Sequence, residues 1–105
     1  MKSIFTRIIE REIPSDIVYE QDNIIVIKDI APKAKTHLLI IPKKEIPSIN
    51  EIQKEDSDLI AELFFVAKKM AYDLNIQQGY QLKFHVGALG GQEVMHLHLH
   101  LLSNI

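Results

Sequence analysis

The 105-residue chain contains no cysteine, which excludes disulfides and thiolate zinc sites together. It has no charge excess either, since twelve Lys and Arg stand against fourteen Asp and Glu and leave a formal net charge of −2. Such a balance offers no general attraction to nucleic acid or to anionic lipid. Long apolar runs are missing: Leu38–Ile41 is typical, and far shorter than the roughly 18 residues that a membrane span requires. Nor does Met1–Glu12 show a basic stretch followed by an apolar one, the pattern of a secretory leader. These absences lead to the expectation of one cytoplasmic domain over residues 1–105, with no cofactor, no metal, no nucleic acid and no membrane among its partners. At 47% apolar and 25% charged residues the composition is otherwise ordinary. A chain this short buries only about 65% of its unfolded surface, a modest core that a second subunit would enlarge. What stands out is histidine, five in all, three of them at His96, His98 and His100.

The pattern predicts two helices and five strands. Ser3 is placed to cap a short helix whose Ile4, Phe5, Ile8 and Ile9 recur on one face, with Pro14 as its expected terminator. Ile17–Glu20 and Asn23–Lys28 are β-branched and flank the turn-forming Gln21-Asp22, which predicts a hairpin. His37–Ile41, stopped by Pro42, is a third strand, and its continuous apolarity suggests burial on both faces. Glu55–Leu74 predicts the main helix, with Leu59, Ile60, Leu63, Phe64, Val66, Ala67, Met70, Ala71 and Leu74 forming one broad stripe and Gly79 as its C-cap. Phe65, Ala61 and Tyr72 fall outside the stripe and form a smaller patch suited to contact with a second chain. Tyr80–Val86 alternates, with Tyr80, Leu82, Phe84 and Val86 on one face and Gln81, Lys83 and His85 on the other. After a loop holding Gly87, Gly90 and Gly91, Val94–Leu102 is the last strand. The order indicates an α+β fold with a largely antiparallel sheet.

In Met95–Leu101 the two-residue period sends His96, His98 and His100 to one face and Met95, Leu97, Leu99 and Leu101 to the other, towards the core. Three alternating imidazoles make poor packing material, because each has polar nitrogens that need partners once buried. Alternate histidines lie about 6.6 Å apart along a strand, so the three span about 13 Å and cannot share one ion. His96 and His98 could hold zinc only with a third ligand such as His37 or Glu93. Close imidazoles disfavour one another's protonation, which keeps a neutral ring available as a nucleophile, and His98, flanked on both sides, is the best placed. The preceding glycines would let backbone N–H groups approach an anion, with Gln92 and Glu93 at the mouth of the strand.

Gly90-Gly91-Gln92-Glu93-Val94-Met95-His96-Leu97-His98-Leu99-His100 resembles the signature of the histidine triad superfamily. Ile4-Phe5, Ile8-Ile9, Glu12-Ile13-Pro14, Asp29-Ile30-Ala31-Pro32 and Thr36–Lys44 are similar to blocks of its nucleotide-binding branch, in order and across nearly the whole chain. The resemblance implies a five-stranded sheet with two helices, continued into a second copy in a homodimer. It further implies binding of a purine nucleoside monophosphate and hydrolysis of its phosphoramidates through a nucleotidyl-histidine intermediate. Carried over by position, His98 is the nucleophile, its second nitrogen held by a backbone carbonyl such as that of His96. His100 and Gly91 contact phosphate, with His37 and His96 in support. Asp29 takes the ribose hydroxyls, and Phe5, Ile8 and Ile30 form the base pocket. His85 stands where many relatives have Asn, and is expected at the phosphate. Glu93 stands where some have a hydroxyl residue, and the chain stops at Ile105 without the tail of longer relatives. Two other readings accompany this one: cleavage of dinucleoside polyphosphates, and a nucleotide-binding regulatory protein with little turnover.

Overall fold

The computed structural model describes every residue from Met1 to Ile105. Two helices lie on opposite faces of a single antiparallel sheet. In chain order the elements are α1 (Ile4–Ile9), β1 (Ile17–Glu20), β2 (Ile24–Lys28), β3 (Thr36–Pro42), α2 (Ser57–Asp73), β4 (Gln81–Lys83) and β5 (Leu99–Ser103), with short 3-10 turns at Ile49–Glu51, Lys54–Asp56 and Ala88–Gly90. The sheet order is β1-β2-β3-β5-β4, so β3 and β5 are central and β4 is an edge with one neighbour.

Strand periodicity sorts two cores. Ile24 and Val26 of β2, Leu38 and Ile40 of β3, and Leu97, Leu99 and Leu101 pack with Leu63, Val66, Ala67, Met70 and Ala71 of α2. The intervening Ile25, Ile27, Leu39 and Ile41 pack with Phe5 and Ile8 of α1. Burial of β3 on both faces follows directly, because each face has its own helix. Tyr80, Leu82 and Phe84 pack on the α2 core as their alternation requires.

Several boundaries differ from expectation. α1 stops at Ile9, not at Pro14: Arg11 takes a left-handed conformation (φ 65°) and the amides of Arg11 and Glu12 return to the carbonyls of Ile8 and Arg7. The same closure ends α2 at Asn75 (φ 58°), whose amide and that of Ile76 return to Tyr72 and Ala71. Gly79, the expected cap, lies further on and is not left-handed. The helix begins at Ser57, two residues after Glu55, because Lys54–Asp56 forms a separate 3-10 turn in which Asp56 accepts from the Gln53 amide (2.8 Å) and from Lys44 Nζ (2.6 Å). Phe64 and Leu74, counted in the buried stripe, are both 43% exposed, since the stripe is wider than the sheet that covers it. β4 and β5 are shorter than predicted. Val94–His98 approaches the sheet without joining its ladder, and Met95 is 48% exposed instead of buried. One side chain and one main-chain bond hold this segment: Gln92 Nε2 donates to the carbonyls of Pro47 (2.7 Å) and Val94 (3.0 Å), and Leu97 N–H bonds to Ile46 O (2.7 Å).

Candidate active site

The α1 face of the sheet carries a cavity of about 300 Å³, at the small end of the roughly 300–1,000 Å³ usual for small-molecule sites. Phe5, Ile8 and Ile30 line it together with Ile27, Leu39 and Val94, while His37, His85, His98, His100, Asp29, Gly91 and Glu93 supply the other wall. His96 and Gln92, both expected in the site, are not in its lining. Gln92 is spent on bracing its loop, since Oε1 accepts from Gly87 N–H (2.9 Å) while Nε2 serves the two carbonyls already named. Ile30 reaches the rim but is 97% exposed.

Register brings the histidines together. Leu39 pairs with His100 and His37 with Leu102, which sets His37 and His100 diagonally on one sheet face. Heavy-atom partners then assign each imidazole its proton. His37 Nδ1 accepts from the Lys33 amide (3.1 Å), so its proton lies on Nε2 and is donated to His100 Nδ1 (3.0 Å). His100 must therefore carry its proton on Nε2, and that atom is buried with no partner. A buried donor left open is costly. It is a ready contact for an anionic oxygen entering the cavity.

His98 has the opposite tautomer. Its Nδ1–H donates to the carbonyl of His96 (2.7 Å), so the Nε2 lone pair is free on a cavity-lining ring. His98 and His100 have ring centroids 4.9 Å apart, which puts a lone pair and an N–H donor side by side. The edge of Phe5 meets the His98 ring at 5.0 Å. His96 has no free nitrogen: Nε2–H donates to Pro42 O (2.7 Å) and Nδ1 accepts from the Ser3 hydroxyl (2.6 Å). His85 stacks at a tilt on His100 with centroids 4.5 Å apart.

Burial, the main cause in each case, pushes His37, His96, His98 and His100 below the ordinary imidazole value, His100 to about 4. The neighbouring imidazoles add to this for His98 and His100. At neutral pH the cluster is thus a set of uncharged rings with fixed tautomers. Asp29 Oδ1 accepts from Ala31 N–H (2.8 Å), while Oδ2 lies 3.4 Å from His37 Nε2 and faces the cavity.

The loop glycines behave differently from expectation. The amides of Gly90 and Gln92 donate to Gly87 O, that of Gly91 to Ala88 O and that of Gly87 to Gln92, so all four are turned into the loop. Gly91 is needed for its backbone (φ 91°), since a Cβ there would meet nothing nearer than His85 Nδ1 at 3.7 Å. Donors for an anion are accordingly side chains. The grouping nearest to metal-ligand geometry is Asp29, His37 and His100, with ligand atoms within 4.8 Å of one another, and not the His96–His98 pair. An ion there would have to replace the His37–His100 hydrogen bond. Lys33 and Pro42 act through their main chain and Ser3 through a distant contact. Residue type does not announce such roles, although the Ser3 cap itself was expected.

A family model described as the scavenger mRNA decapping enzyme C-terminal binding region matches residues 2–105. The chain is 47% identical over 103 residues to an uncharacterized HIT-like protein of Chlamydia muridarum, covering 98% of this chain and 82% of the relative. It is 45% identical over 103 residues to the purine nucleoside phosphoramidase of Escherichia coli K12, covering 97% and 87% respectively. Among solved structures, a HIT family hydrolase from Legionella pneumophila superposes with a TM-score of 0.96 at 47% identity, covering 99% of this chain and 94% of that one. A HIT family hydrolase from Clostridium thermocellum gives 0.94 at 42% identity, covering 99% and 91%.

Proposed function

The chain belongs to the histidine triad (HIT) family and is a HIT family hydrolase; on that footing we propose that it cleaves the phosphorus–nitrogen bond of purine nucleoside phosphoramidates through a nucleotidyl-histidine intermediate. The observation that carries this reading is the paired tautomers of His98 and His100. The His98 Nε2 lone pair attacks phosphorus, the new N–P bond replaces the bond to the amine, and the amine leaves with a proton taken up from solvent. Water then attacks the same phosphorus, returns a proton to solvent, releases the nucleoside monophosphate and frees His98. His100 Nε2–H donates to a phosphoryl oxygen whose charge grows in the transition state, and His37 holds it in the tautomer that can do so. His85 is a second donor at the phosphate. His96 supports His98 through its carbonyl, while Gly91 shapes the floor and Glu93 the mouth of the cavity.

The remaining lining suits a nucleoside. Asp29 offers a carboxylate oxygen to the ribose hydroxyls, and Phe5, Ile8 and Ile30 offer apolar surface to the purine. The E. coli relative, 45% identical over 103 residues, carries the name purine nucleoside phosphoramidase, which supports the choice of leaving bond. The protein acts as a homodimer in this reading, with the sheet continued across the open edge of β4 and the exposed Ala61, Phe65 and Tyr72 at the contact.

The test is turnover of an adenosine phosphoramidate by wild type and His98→Ala. The variant is expected to lose about a thousandfold or more in kcat while keeping nucleoside monophosphate binding. Undiminished turnover by His98→Ala overturns the mechanism. Faster cleavage of a dinucleoside polyphosphate than of the phosphoramidate would reassign the substrate, and tight monophosphate binding with no turnover by wild type would leave a binding protein.

A further inference from the structure

We infer that Ser3 is a positioning residue for His98: one hydroxyl on the N-cap of α1 completes the hydrogen bonding that orients the His96 ring, and through the His96 carbonyl it orients the nucleophile. The inference rests on the proposed phosphoramidase reading for its kinetic arm alone.

His96 is fully buried and both its ring nitrogens are engaged. Pro42 O can only accept, so Nε2 bears the proton and Nδ1 must accept. The Ser3 hydroxyl at 2.6 Å is the donor that meets it. The same oxygen accepts from Thr6 N–H at 3.0 Å, which is the helix cap, so Ser3 serves both the cap and the ring at once. Glu45 clamps the arrangement from the loop after β3: one of its oxygens accepts from Ser3 N–H and from the Thr6 hydroxyl, both at 2.6 Å. The carbonyl of His96 receives His98 Nδ1–H at 2.7 Å. Phe5, two residues beyond Ser3, sets its ring edge against His96 (5.8 Å) and His98 (5.0 Å).

Without the hydroxyl proton, Nδ1 of His96 faces no donor, and the ring loses half of what fixes it. Val94–His98 belongs to no ladder; the peptide that carries the His96 carbonyl has a single main-chain anchor, Leu97 N–H to Ile46 O (2.7 Å), and the His96 ring is the second anchor that fixes its tilt. A small rotation of this carbonyl misaims His98 Nε2, and misplacement of about 1 Å far from the chemistry can cost on the order of a hundredfold. Ser3 touches no substrate in this scheme. It acts by holding His96.

Two variants separate the ring contact from the cap. Ser3→Thr keeps a hydroxyl that can do both. Ser3→Gly removes the hydroxyl, although glycine is itself a tolerated N-cap. The readouts are steady-state kinetics on an adenosine phosphoramidate, thermal unfolding, and long-range imidazole 1H–15N spectra of histidine-labelled protein. In wild type the spectra should show His96 as the Nε2–H tautomer and His98 as Nδ1–H. Ser3→Thr should match wild type in all respects. Ser3→Gly should lose about ten- to a hundredfold in kcat with KM changed less than about twofold, and its His98 signals should shift or broaden. If Ser3→Gly keeps wild-type kcat and unchanged His98 signals, or if Ser3→Thr fails as badly as Ser3→Gly, the inference is overturned. Should wild type turn nothing over, the spectra alone decide: displaced His98 signals in Ser3→Gly, restored in Ser3→Thr, support the positioning role while the enzymatic reading falls.

Discussion

Histidine is the residue on which this molecule turns, and its five copies do four different things. His98 presents a lone pair, His100 an open N–H, His37 and His96 fix those two, and His85 adds a ring with no fixed partner. The alternation His96-His98-His100 suggests one shared face, but only the last two line the cavity. His85, on the polar side of the β4 segment, takes the fourth place. Burying four neutral imidazoles also has a consequence for stability. Their folded-state values lie below the ordinary 6.5, His100 at about 4. Below pH 6.5 the unfolded chain therefore binds more protons than the folded one, and acid favours unfolding. Stability is expected to be flat above pH 6.5 and to fall between pH 6.5 and 4, as urea midpoints across that range would show. Glu45, held at about 2 against an ordinary 4.5, adds a separate loss below pH 4.5. A midpoint that stays constant from pH 7 to 4 would mean that these imidazoles charge freely in the native state.

At the scale of elements, both helices end on a left-handed residue that is not glycine. Gly79 draws attention because glycine leads at such positions, yet Asn75 fits, since asparagine tolerates that conformation better than most side chains. Asn75→Ala is expected to destabilise the protein by about 1 kcal/mol, a fall in Tm of roughly 4–8 °C, with Asn75→Gly equal to wild type or slightly above it. Thermal unfolding followed by circular dichroism checks this, and an alanine variant as stable as the glycine one would mean that the left-handed turn carries no strain. The strand ends show a related limit. Periodicity continues through Val94–Leu102, but ladder pairing starts only at Leu99, because the preceding residues are held by Ile46, Pro42 and Ser3 from other parts of the chain.

At the scale of the molecule, a sheet sandwiched between a short helix and a long one leaves part of α2 bare. Phe65 and Tyr72 are 65% and 56% exposed, and Ala61 lies beside them in the helical pattern. Phe64, itself half-exposed, meets Phe84 just past the end of β4, the edge strand. Sedimentation at micromolar concentration should give twice the 12.1 kDa chain mass, and Phe65→Glu should shift it to the single-chain mass by placing a charge in an apolar contact. A wild type that sediments as a single chain removes the dimer from the proposed function.

The sequence by itself determined the helix and strand identities, the two-sided burial of β3, the antiparallel α+β class and the association of His98 and His100 with Asp29, Phe5 and Ile8. The first three follow from local periodicity, and the last from the resemblance of whole blocks of residues to the histidine triad family. Only the tertiary structure decided which histidine nitrogen is free, that the loop amides are spent within the loop, that His96 and Gln92 stand behind the site, and that Ser3 reaches across 93 positions to a buried ring. A tautomer depends on which donor or acceptor lies within about 3 Å, and that is a property of packing between distant segments, not of any one of them.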